Sequence, residues 1–329
     1  MSIFTIRYHL YDAKNIQNER LLGVEHIENV DEILIPLNEK NTPFFITKSF
    51  VGIESKRWRV EFVLGIQPNT WGIWLSPKDI SDDVYLSQSM VKRRINHAGG
   101  IVKKGTIVVV EFGHIYLTLN SQQILSDSSL YPCYTQSGEM HKRRPAIVVK
   151  ADRKGVTVAP ITSQMPKNFP HNKAIFELDL QSTQFIHELK NGKASYVLCE
   201  MLQTVSATRI LPPYARDFAG KERKFRRNES YQRRLSASDM KSLDDGLLGA
   251  IGASSYRIKN ESLTVALQKE IQLSQDIIAQ IEKLRHIIEV QKVSLEELTC
   301  RHKILSELYL LNSEHLSLDS IYSEISEYL

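Results

Sequence analysis

A short polar loop, Gly138 to Pro145, brings together side-chain types that can act on a phosphodiester. It contains one carboxylate, one imidazole and three cations, at Glu139, His141, Lys142, Arg143 and Arg144. Cleavage of RNA by its own 2′-hydroxyl needs a base for that hydroxyl, a proton donor for the leaving 5′-oxygen and positive charge beside the phosphorus. Glu139 can be the base, and the imidazole of His141 can act as acid or base near neutral pH. The planar guanidinium of Arg144 stays charged and suits a phosphate.

Two hydroxyls, at Thr162 and Ser163, follow the predicted strand 156–161 and can hold phosphate oxygens. Taken singly, each of these features has a simpler interpretation. A Lys-Arg-Arg run is usually a solvated surface, a Thr-Ser pair after a strand is usually a turn, and a lone histidine usually lies on the surface. Only their order and spacing along the chain favour a site.

Residues 1–98 are predicted to form an α+β domain of unidentified role. Apolar runs separated by polar breaks predict strands at 33–35, 44–46, 60–64 and 71–75. A helix is predicted over 79–96, followed by a linker at 97–100. The tryptophans of this region are expected to lie in its core; they are Trp58, Trp71 and Trp74.

Residues 103–252 are predicted to form a second domain. A β-branched run predicts a buried strand at 106–112, and further strands are predicted at 145–150, 155–161, 174–180 and 195–205. Ser236 is a suitable N-cap with an acid in the following turn, so a helix is predicted from there to Ile251, closed by Gly252. Short strands followed by one helix indicate a small barrel with a helical appendix.

Residues 256–329 are predicted to be helical. Apolar side chains recur at steps of three and four between Ile281 and Leu305, which predicts an amphipathic helix. Gln291 and His302 interrupt this seam, so a long regular coiled coil is not expected. The acidic tail, residues 304–329, has no Lys or Arg. It is a candidate to mask an RNA groove in cis or to bind a partner, although a solvated helix end is the simpler interpretation.

Composition bounds the class of protein. The length of 329 residues predicts two or three domains at about 100–200 residues each. The hydrophobic content of 42% is enough for their cores. The net charge of +4 permits a polyanionic partner without requiring one. The three cysteines are too far apart to indicate a disulfide framework or a zinc site, and no signal peptide or apolar run of about 18 residues is present. A cytoplasmic protein without membrane contact is therefore expected.

The second region resembles the MazF/PemK family of toxin endoribonucleases from toxin–antitoxin systems, over about residues 103–252. Four blocks match family motifs in order: Gly105–Phe112 is similar to the opening Gly-x-Ile-Val strand, Glu139 with Arg144 and Pro145 to the signature loop, Pro160–Ser163 to the Pro-hydrophobic-Thr-[Ser/Thr] block, and Ser195–Glu200 to the Val-Leu-x-[Asp/Glu] strand. An insert between Phe112 and Glu139 is longer than the loop that the family has there.

The resemblance implies an SH3-like small β-barrel and a sequence-selective endoribonuclease that cuts single-stranded RNA without a metal or a cofactor. Attack by the RNA's own 2′-hydroxyl would leave a 2′,3′-cyclic phosphate. By motif position, Glu139 would act on the 2′-hydroxyl, Arg144 on the phosphate and its developing charge, and Thr162 as a hydrogen-bond donor. The resemblance also implies RNA and a neutralising antitoxin as partners, and a homodimer.

After the fourth block the sequence departs from the family's pattern. Where the family has Gln, Arg and Asp, this chain has Met201, Gln203 and Ser206, so one cation and one carboxylate are missing. Glutamine can donate a hydrogen bond but brings no charge to a phosphate. Arg143 or Arg209 could supply the missing charge.

A wider set of residues is predicted to contact RNA. The densest basic stretch, 221–227, is interleaved with aromatic side chains, a combination that suits single-stranded RNA through phosphate pairing and base stacking. A solvated loop is its simpler interpretation. The predicted contacts are His141, Lys142, Arg143, Ser163, Gln203, Arg209, Arg223, Lys224, Arg226 and Arg227.

Three functions are open on these observations. The first is an RNA-cleaving toxin or defence effector. The second is a nucleic-acid-binding or assembly module on the same barrel with weak or no catalysis, which the missing charges favour. The third is a related barrel that poisons a protein such as gyrase, against which the set of Glu139, Arg144 and Thr162 argues.

Overall fold

The computed structural model of the protein describes residues 3–13, 20–36, 43–122, 124–189, 193–216, 225–312 and 317–326. Residues 1–255 form one compact unit and residues 256–329 form a second. The predicted mixed α+β class is confirmed.

The elements of the described residues are numbered in chain order. The strands are β1 (Ile3–Leu10), β2 (Arg20–Glu28), β3 (Glu32–Pro36), β4 (Phe44–Thr47), β5 (Arg57–Gln67), β6 (Thr70–Pro77), β7 (Ile107–Glu111), β8 (Tyr116–Asn120), β9 (Leu125–Asp127), β10 (Arg143–Ala151), β11 (Val156–Thr162), β12 (Ile175–Glu177), β13 (Tyr196–Leu198), β14 (Gln203–Val205), β15 (Ile210–Leu211), β16 (Tyr214–Arg216) and β17 (Phe225–Arg227). The helices are α1 (Leu86–Lys92), α2 (Leu180–Thr183), α3 (Ala237–Ala250), α4 (Ser254–Asn312) and α5 (Leu318–Ser326).

The first sheet has the order β2-β1-β6-β5-β4, with β1 and β6 parallel and the other pairs antiparallel. In β1 the buried side chains of Phe4, Ile6 and Tyr8 alternate with the less buried Thr5 and Arg7. Because successive side chains of a strand point to opposite faces, this alternation puts one face of the strand in the core.

A three-stranded sheet of order β3-β8-β9 shares its core with the first sheet. Phe4 and Trp58 of the first sheet belong to the same buried cluster as Ile33 of β3 and Leu119 of β8. β8 and β9 lie in the long insert that precedes the polar loop. The insert therefore contributes strands to the N-terminal core, and the division of this unit near residue 98 stays a prediction.

The second large sheet has the order β12-β13-β11-β10-β7-β15, and β14 also pairs with β11. Val108 and Val110 of β7 lie in one buried cluster, whereas Ile107 of the same strand lies in another. Because both faces of β7 are covered, its first four residues are all apolar and β-branched rather than alternating with polar ones. Leu243 of α3 is buried in the second cluster. Closure of this sheet into a barrel stays a prediction.

The helix predicted over 79–96 is wrong in length, because α1 covers only its middle. Asp79 forms a turn instead, since its Oδ1 accepts the N–H of Ser81 at 2.8 Å. Arg94 then takes a left-handed backbone conformation at φ 55°, which ends the helix. The predicted linker 97–100 contains a short 3-10 turn in which Ala98 and Gly99 are buried.

The single strand predicted at 195–205 is also wrong. β13 pairs with the end of β11, through Ile161 and Val197, and β14 pairs with its beginning, through Val158 and Gln203. The chain must turn between these pairings, and it does so in the 3-10 turn Cys199–Met201. The strand predicted at 174–180 is also shorter in the structure, because β12 ends at Glu177 and the chain continues into α2. The side chain of Asp179 caps the first turn of α2 by accepting the N–H of Ser182.

The helix predicted from Ser236 is confirmed as α3. The Ser236 hydroxyl accepts the N–H of Asp239 at 3.2 Å, which is an N-cap hydrogen bond. Gly252 follows the helix with φ 70°, a left-handed conformation that glycine adopts without steric cost.

The second compact unit is helical, as predicted. α4 has 59 residues, a length of about 90 Å at ~1.5 Å per residue, and it carries exposed apolar side chains. The ring of Tyr322 in α5 stacks on His302 of α4 at a centroid distance of 5.8 Å. Within the described ranges, no helix combines the length and the apolar character that crossing a membrane requires.

Candidate active site and RNA interface

Arg144 and Thr162 lie at the same end of the β10–β11 strand pair. The two strands are antiparallel, and their pairing ends where Ala146 of β10 lies opposite Pro160 of β11. Arg144 comes two residues before Ala146, and Thr162 comes two residues after Pro160. Because side chains alternate along a strand, Arg144 points to the face of Ala146 and Thr162 to the face of Pro160, which is the same face of the sheet.

The loop before β10 connects Glu139 to Arg144 through His141. A ring nitrogen of His141, Nδ1, lies 3.1 Å from the carbonyl oxygen of Glu139. The Nε–H of Arg144 in turn donates to the carbonyl of His141 at 3.0 Å. The carboxylate of Glu139 is exposed and accepts the backbone N–H of Gln136 at 2.9 Å. The loop thus holds its acid, imidazole and guanidinium at one end of the sheet.

Gln136 orders this loop, and nothing in the sequence indicated it. Its side-chain amide donates to the backbone carbonyls of Ser128, Tyr131 and Tyr134 at 3.2, 2.8 and 3.0 Å. The side chain of Gln136 therefore holds three positions of the insert, while its backbone N–H donates to the carboxylate of Glu139. Such positioning depends on the folded loop and has no local pattern in the chain.

Arg144 and Thr162 keep groups suited to a phosphate. Arg144 is partly buried, and this burial lowers the pKa of its guanidinium, which nevertheless stays charged. The Thr162 hydroxyl accepts the N–H of Gln164 at 3.2 Å, which leaves its own hydrogen able to be donated. Ser163 is exposed beside it.

Arg209 lies near this end of the sheet. Val110 of β7 pairs with Arg144 on one side and with Ile210 of β15 on the other. The backbone of Arg209 is therefore about two strand spacings, roughly 10 Å, from that of Arg144. Its Nη1 donates to the carbonyl of Phe112 at 3.2 Å, and no carboxylate pairs with it among the described residues.

Gln203 and Ser206 lie in different local structures. Gln203 begins β14 and is exposed beside Val158. The Ser206 hydroxyl accepts the N–H of Thr208 at 3.3 Å, so it caps the turn that leads to Arg209. The Ser206 hydroxyl therefore stabilises this turn.

Arg143 points into an ion-pair cluster rather than beside Arg144. It donates two hydrogen bonds to Asp83, at 3.1 and 2.8 Å, and its Nε donates to Glu111 at 2.8 Å. Arg227 pairs with Asp83 at 3.3 Å and with Glu188 at 3.2 Å. The side chains of Arg143 and Arg227 are only 16% and 13% exposed. Both were predicted as RNA contacts, and the structure places each against carboxylates.

The acids of this cluster are held ionised. Burial by itself would raise the pKa of Asp83, but the hydrogen bond and charge of Arg143 outweigh it, so the pKa lies below the ordinary value. The same balance lowers the pKa of Glu111. Lys78 is also paired with Asp83, at 3.2 Å.

The other predicted RNA contacts are spread over the surface. Lys142 has a left-handed backbone, with φ 72°, and its N–H donates to the carbonyl of Gly113 at 2.7 Å. Arg226 is exposed in β17. Arg223 and Lys224 lie outside the described residues.

A cavity of about 670 Å³ opens beside the loop. Thr47 and Arg57 of the first sheet line it on one side. The loop residues Tyr134 and Lys142, together with Arg209, line it from the second sheet's side. This cavity was not predicted, because its two walls are far apart in the sequence.

His114 joins the two sides of the cavity. Its ring stacks on Phe44 at a centroid distance of 4.4 Å, and its Nε2 accepts the N–H of Phe45 at 3.3 Å. Burial, assisted by the charge of Arg57 and opposed by that of Glu111, lowers the pKa of His114 to about 4. The imidazole is therefore neutral in the folded protein at neutral pH.

The lowered pKa of His114 predicts that the folded protein loses stability in acid. The unfolded chain protonates His114 near its ordinary value of 6.5, whereas the folded protein does so only near 4, so the unfolded state binds more protons between these values. The free energy of unfolding should therefore fall by about 2 kcal/mol from about pH 7 to about pH 5. His114→Gln, which keeps an acceptor for Phe45, should flatten that slope in urea unfolding. Parallel pH profiles for the two proteins would contradict the assignment.

Comparison with known protein families relates part of this chain to one family. Residues 129–248 match the family model described as PemK-like, MazF-like toxin of type II toxin-antitoxin system. The match covers fewer than half of the 329 residues and includes Glu139, Arg144 and Thr162. A comparison with curated proteins found no match.

Proposed function

Because the chain contains a PemK-like, MazF-like toxin domain at residues 129–248, with further regions on both sides, we propose that it is an endoribonuclease toxin. Its substrate is single-stranded RNA. The observation that supports the proposal is the antiparallel pairing of β10 with β11, at one end of which Arg144 and Thr162 both lie, next to the loop that bears Glu139. A carboxylate, a fixed guanidinium and a hydroxyl donor at one place suit transfer of a phosphodiester to its own 2′-hydroxyl.

The reaction proceeds by displacement at phosphorus. Glu139 takes the proton of the 2′-hydroxyl, whose oxygen forms a bond to phosphorus while the bond to the 5′-oxygen breaks. Arg144 pairs with the charge that develops on the phosphoryl oxygens, and Thr162 donates a hydrogen bond to one of them. His141 supplies the proton that the leaving 5′-oxygen needs. The products are a 2′,3′-cyclic phosphate and a 5′-hydroxyl, and no metal or cofactor takes part.

Arg209 replaces the cation that the family has at the position of Gln203. It lies within about 10 Å of Arg144 by strand spacing and is exposed. A guanidinium at this distance can pair with a phosphate next to the one that is cut. The missing charge is therefore supplied from a neighbouring strand.

Partners and assembly follow from the same proposal. The toxin domain closes as an SH3-like barrel, forms a homodimer, selects a short RNA sequence and is neutralised by an antitoxin. Type II toxin–antitoxin systems are the setting that the family match supports.

One experiment tests the activity directly. Purified full-length protein is incubated with a defined RNA in EDTA, and the product ends are mapped. We expect cuts at a preferred sequence, with 2′,3′-cyclic phosphate and 5′-hydroxyl ends. RNA of the same sequence with 2′-O-methyl groups is the control and should stay intact, because it lacks the nucleophile.

A second function is favoured by the missing charges at Gln203 and Ser206. If the protein binds RNA in this experiment but yields no cyclic-phosphate ends, the domain is a nucleic-acid-binding or assembly module. Cleavage that stops in EDTA and returns with a divalent metal would contradict the metal-independent step.

A further inference from the structure

One wall of the cavity between the two sheets lies outside the toxin match. Its first wall is the end of β4 and the start of β5, which pair through Thr47 and Arg57. These residues lie some 70 positions or more before the start of the matched segment at 129. Its second wall is the loop that leads to Glu139, with Tyr134 and Lys142. The N-terminal region thus reaches the polar loop through Lys142 and Arg143, while Glu139, Arg144 and Thr162 do not line the cavity.

The charge of this cavity favours an anion. Four cationic side chains line it against one carboxylate, that of Glu111; they are Arg57, Lys142, Arg143 and Arg209. Glu111 is already paired with both Arg57 and Arg143. Asp83, which does not line the cavity, also pairs with Arg143. Among the side chains that line the cavity, cations outnumber carboxylates, which suits a phosphate.

The first wall is held in place before any ligand arrives. Arg57 is fixed by its ion pair with Glu111, and its Nη1 donates to the Thr47 hydroxyl at 3.0 Å. His114, tied to Phe44 and Phe45, keeps the two walls together. A wall whose donors are already positioned loses little conformational entropy on binding.

An aromatic side chain lies in the same cavity. Tyr134 is 43% exposed and meets Tyr116 edge-on at a centroid distance of 5.5 Å. The loop around it is ordered by Gln136. An exposed ring beside fixed cations is the combination that binds a nucleotide of a single strand, with the base stacked and the phosphate paired.

We propose that this cavity binds one nucleotide of single-stranded RNA beside the polar loop, and that the N-terminal sheet is one wall of the RNA site. The base stacks on Tyr134, and Lys142 and Arg209 hold its phosphate. Thr47 and Arg57 line the opposite side. This inference rests on the proposed function for its substrate, and it assigns the N-terminal region a part in choosing the RNA.

Binding is measured with a probe that cannot be cut. A fluorescein-labelled 2′-O-methyl oligoribonucleotide of mixed sequence is titrated with full-length protein, and fluorescence anisotropy gives the Kd. Thr47→Glu adds a negative charge to the first wall and should weaken binding about 5-fold or more. Gln67→Glu adds the same charge at the other end of β5, about 33 Å from Arg57, and should leave binding unchanged. Thermal unfolding of both variants checks that the fold is kept.

A second pair of variants tests the stacking. Tyr134→Ala should weaken binding about 5-fold or more, whereas Tyr134→Phe, which keeps the ring, should bind as the parent does. Equal effects of Thr47→Glu and Gln67→Glu, or no effect of either, would overturn the assignment of the N-terminal wall. Cleavage of ordinary RNA is measured separately. Wall-dependent binding without cleavage supports the cavity assignment and contradicts the proposed activity.

Discussion

Replacing Arg144 by alanine is expected to reduce RNA cleavage by about 10²–10³-fold, the loss typical for removal of one donor to developing charge. Arg144 lies at the same end of the β10–β11 pair as Thr162, and its Nε donates to the carbonyl of His141. Its terminal nitrogens are the groups that we assign to the phosphate. The rate is measured at saturating RNA, so that weaker binding does not lower it. Thermal unfolding should stay close to that of the parent, because the side chain makes no ion pair among the described residues.

Two further variants make this result specific. Arg144→Lys keeps the charge but loses the planar fork, so its rate should lie between those of the parent and the alanine variant. Arg153→Ala removes an exposed arginine from the turn at the far end of the same strand pair and should not change the rate. Equal rates for Arg144→Ala and Arg153→Ala would show that the site is elsewhere.

Replacing Asp83 by alanine is expected to destabilise the first compact unit by about 3–5 kcal/mol, the range for breaking a buried ion pair. The Asp83 side chain is 6% exposed and is paired with Lys78, Arg143 and Arg227. Its removal leaves these three cations close together and poorly solvated, with only Glu111 and Glu188 to compensate them. The cluster was not predicted from the sequence.

The measurement is urea unfolding followed by tryptophan fluorescence. All three tryptophans lie at or before Trp74, so the signal reports the first compact unit and not the helical one. Asp82→Ala is the control, because Asp82 is the adjacent residue and is exposed. Similar midpoints for Asp83→Ala and Asp82→Ala would mean that the cluster contributes little to stability.

The contrast between Arg143 and Arg144 explains why the site could be predicted only in part. In the sequence the two are equivalent members of a Lys-Arg-Arg run. On β10 they point to opposite faces of the sheet, because side chains alternate along a strand. Arg143 therefore meets Asp83 and Glu111, whereas Arg144 lies on the face of the sheet to which Thr162 points. The surroundings of each arginine are thus fixed by residues far away in the chain.

The sequence by itself determined the local elements and the order of the motifs. Apolar runs in the sequence predicted β3 to β7, β10 and β11, because a strand that is buried on one or both faces has apolar residues at its buried positions. Ser236 and Gly252 marked the ends of α3, because caps act within one turn. Glu139, Arg144 and Thr162 identified the relationship that the family match confirms for residues 129–248.

The tertiary structure alone decided what these elements form together. The pairing of β3 with β8, the break between β13 and β14, the cluster around Asp83 and the cavity beside Tyr134 all join residues distant along the chain. Such contacts depend on strand order and register, which no local pattern of residue types records. The polar loop from Gly138 to Pro145 could be recognised in the sequence. The residues that surround it in space could be identified only from the fold.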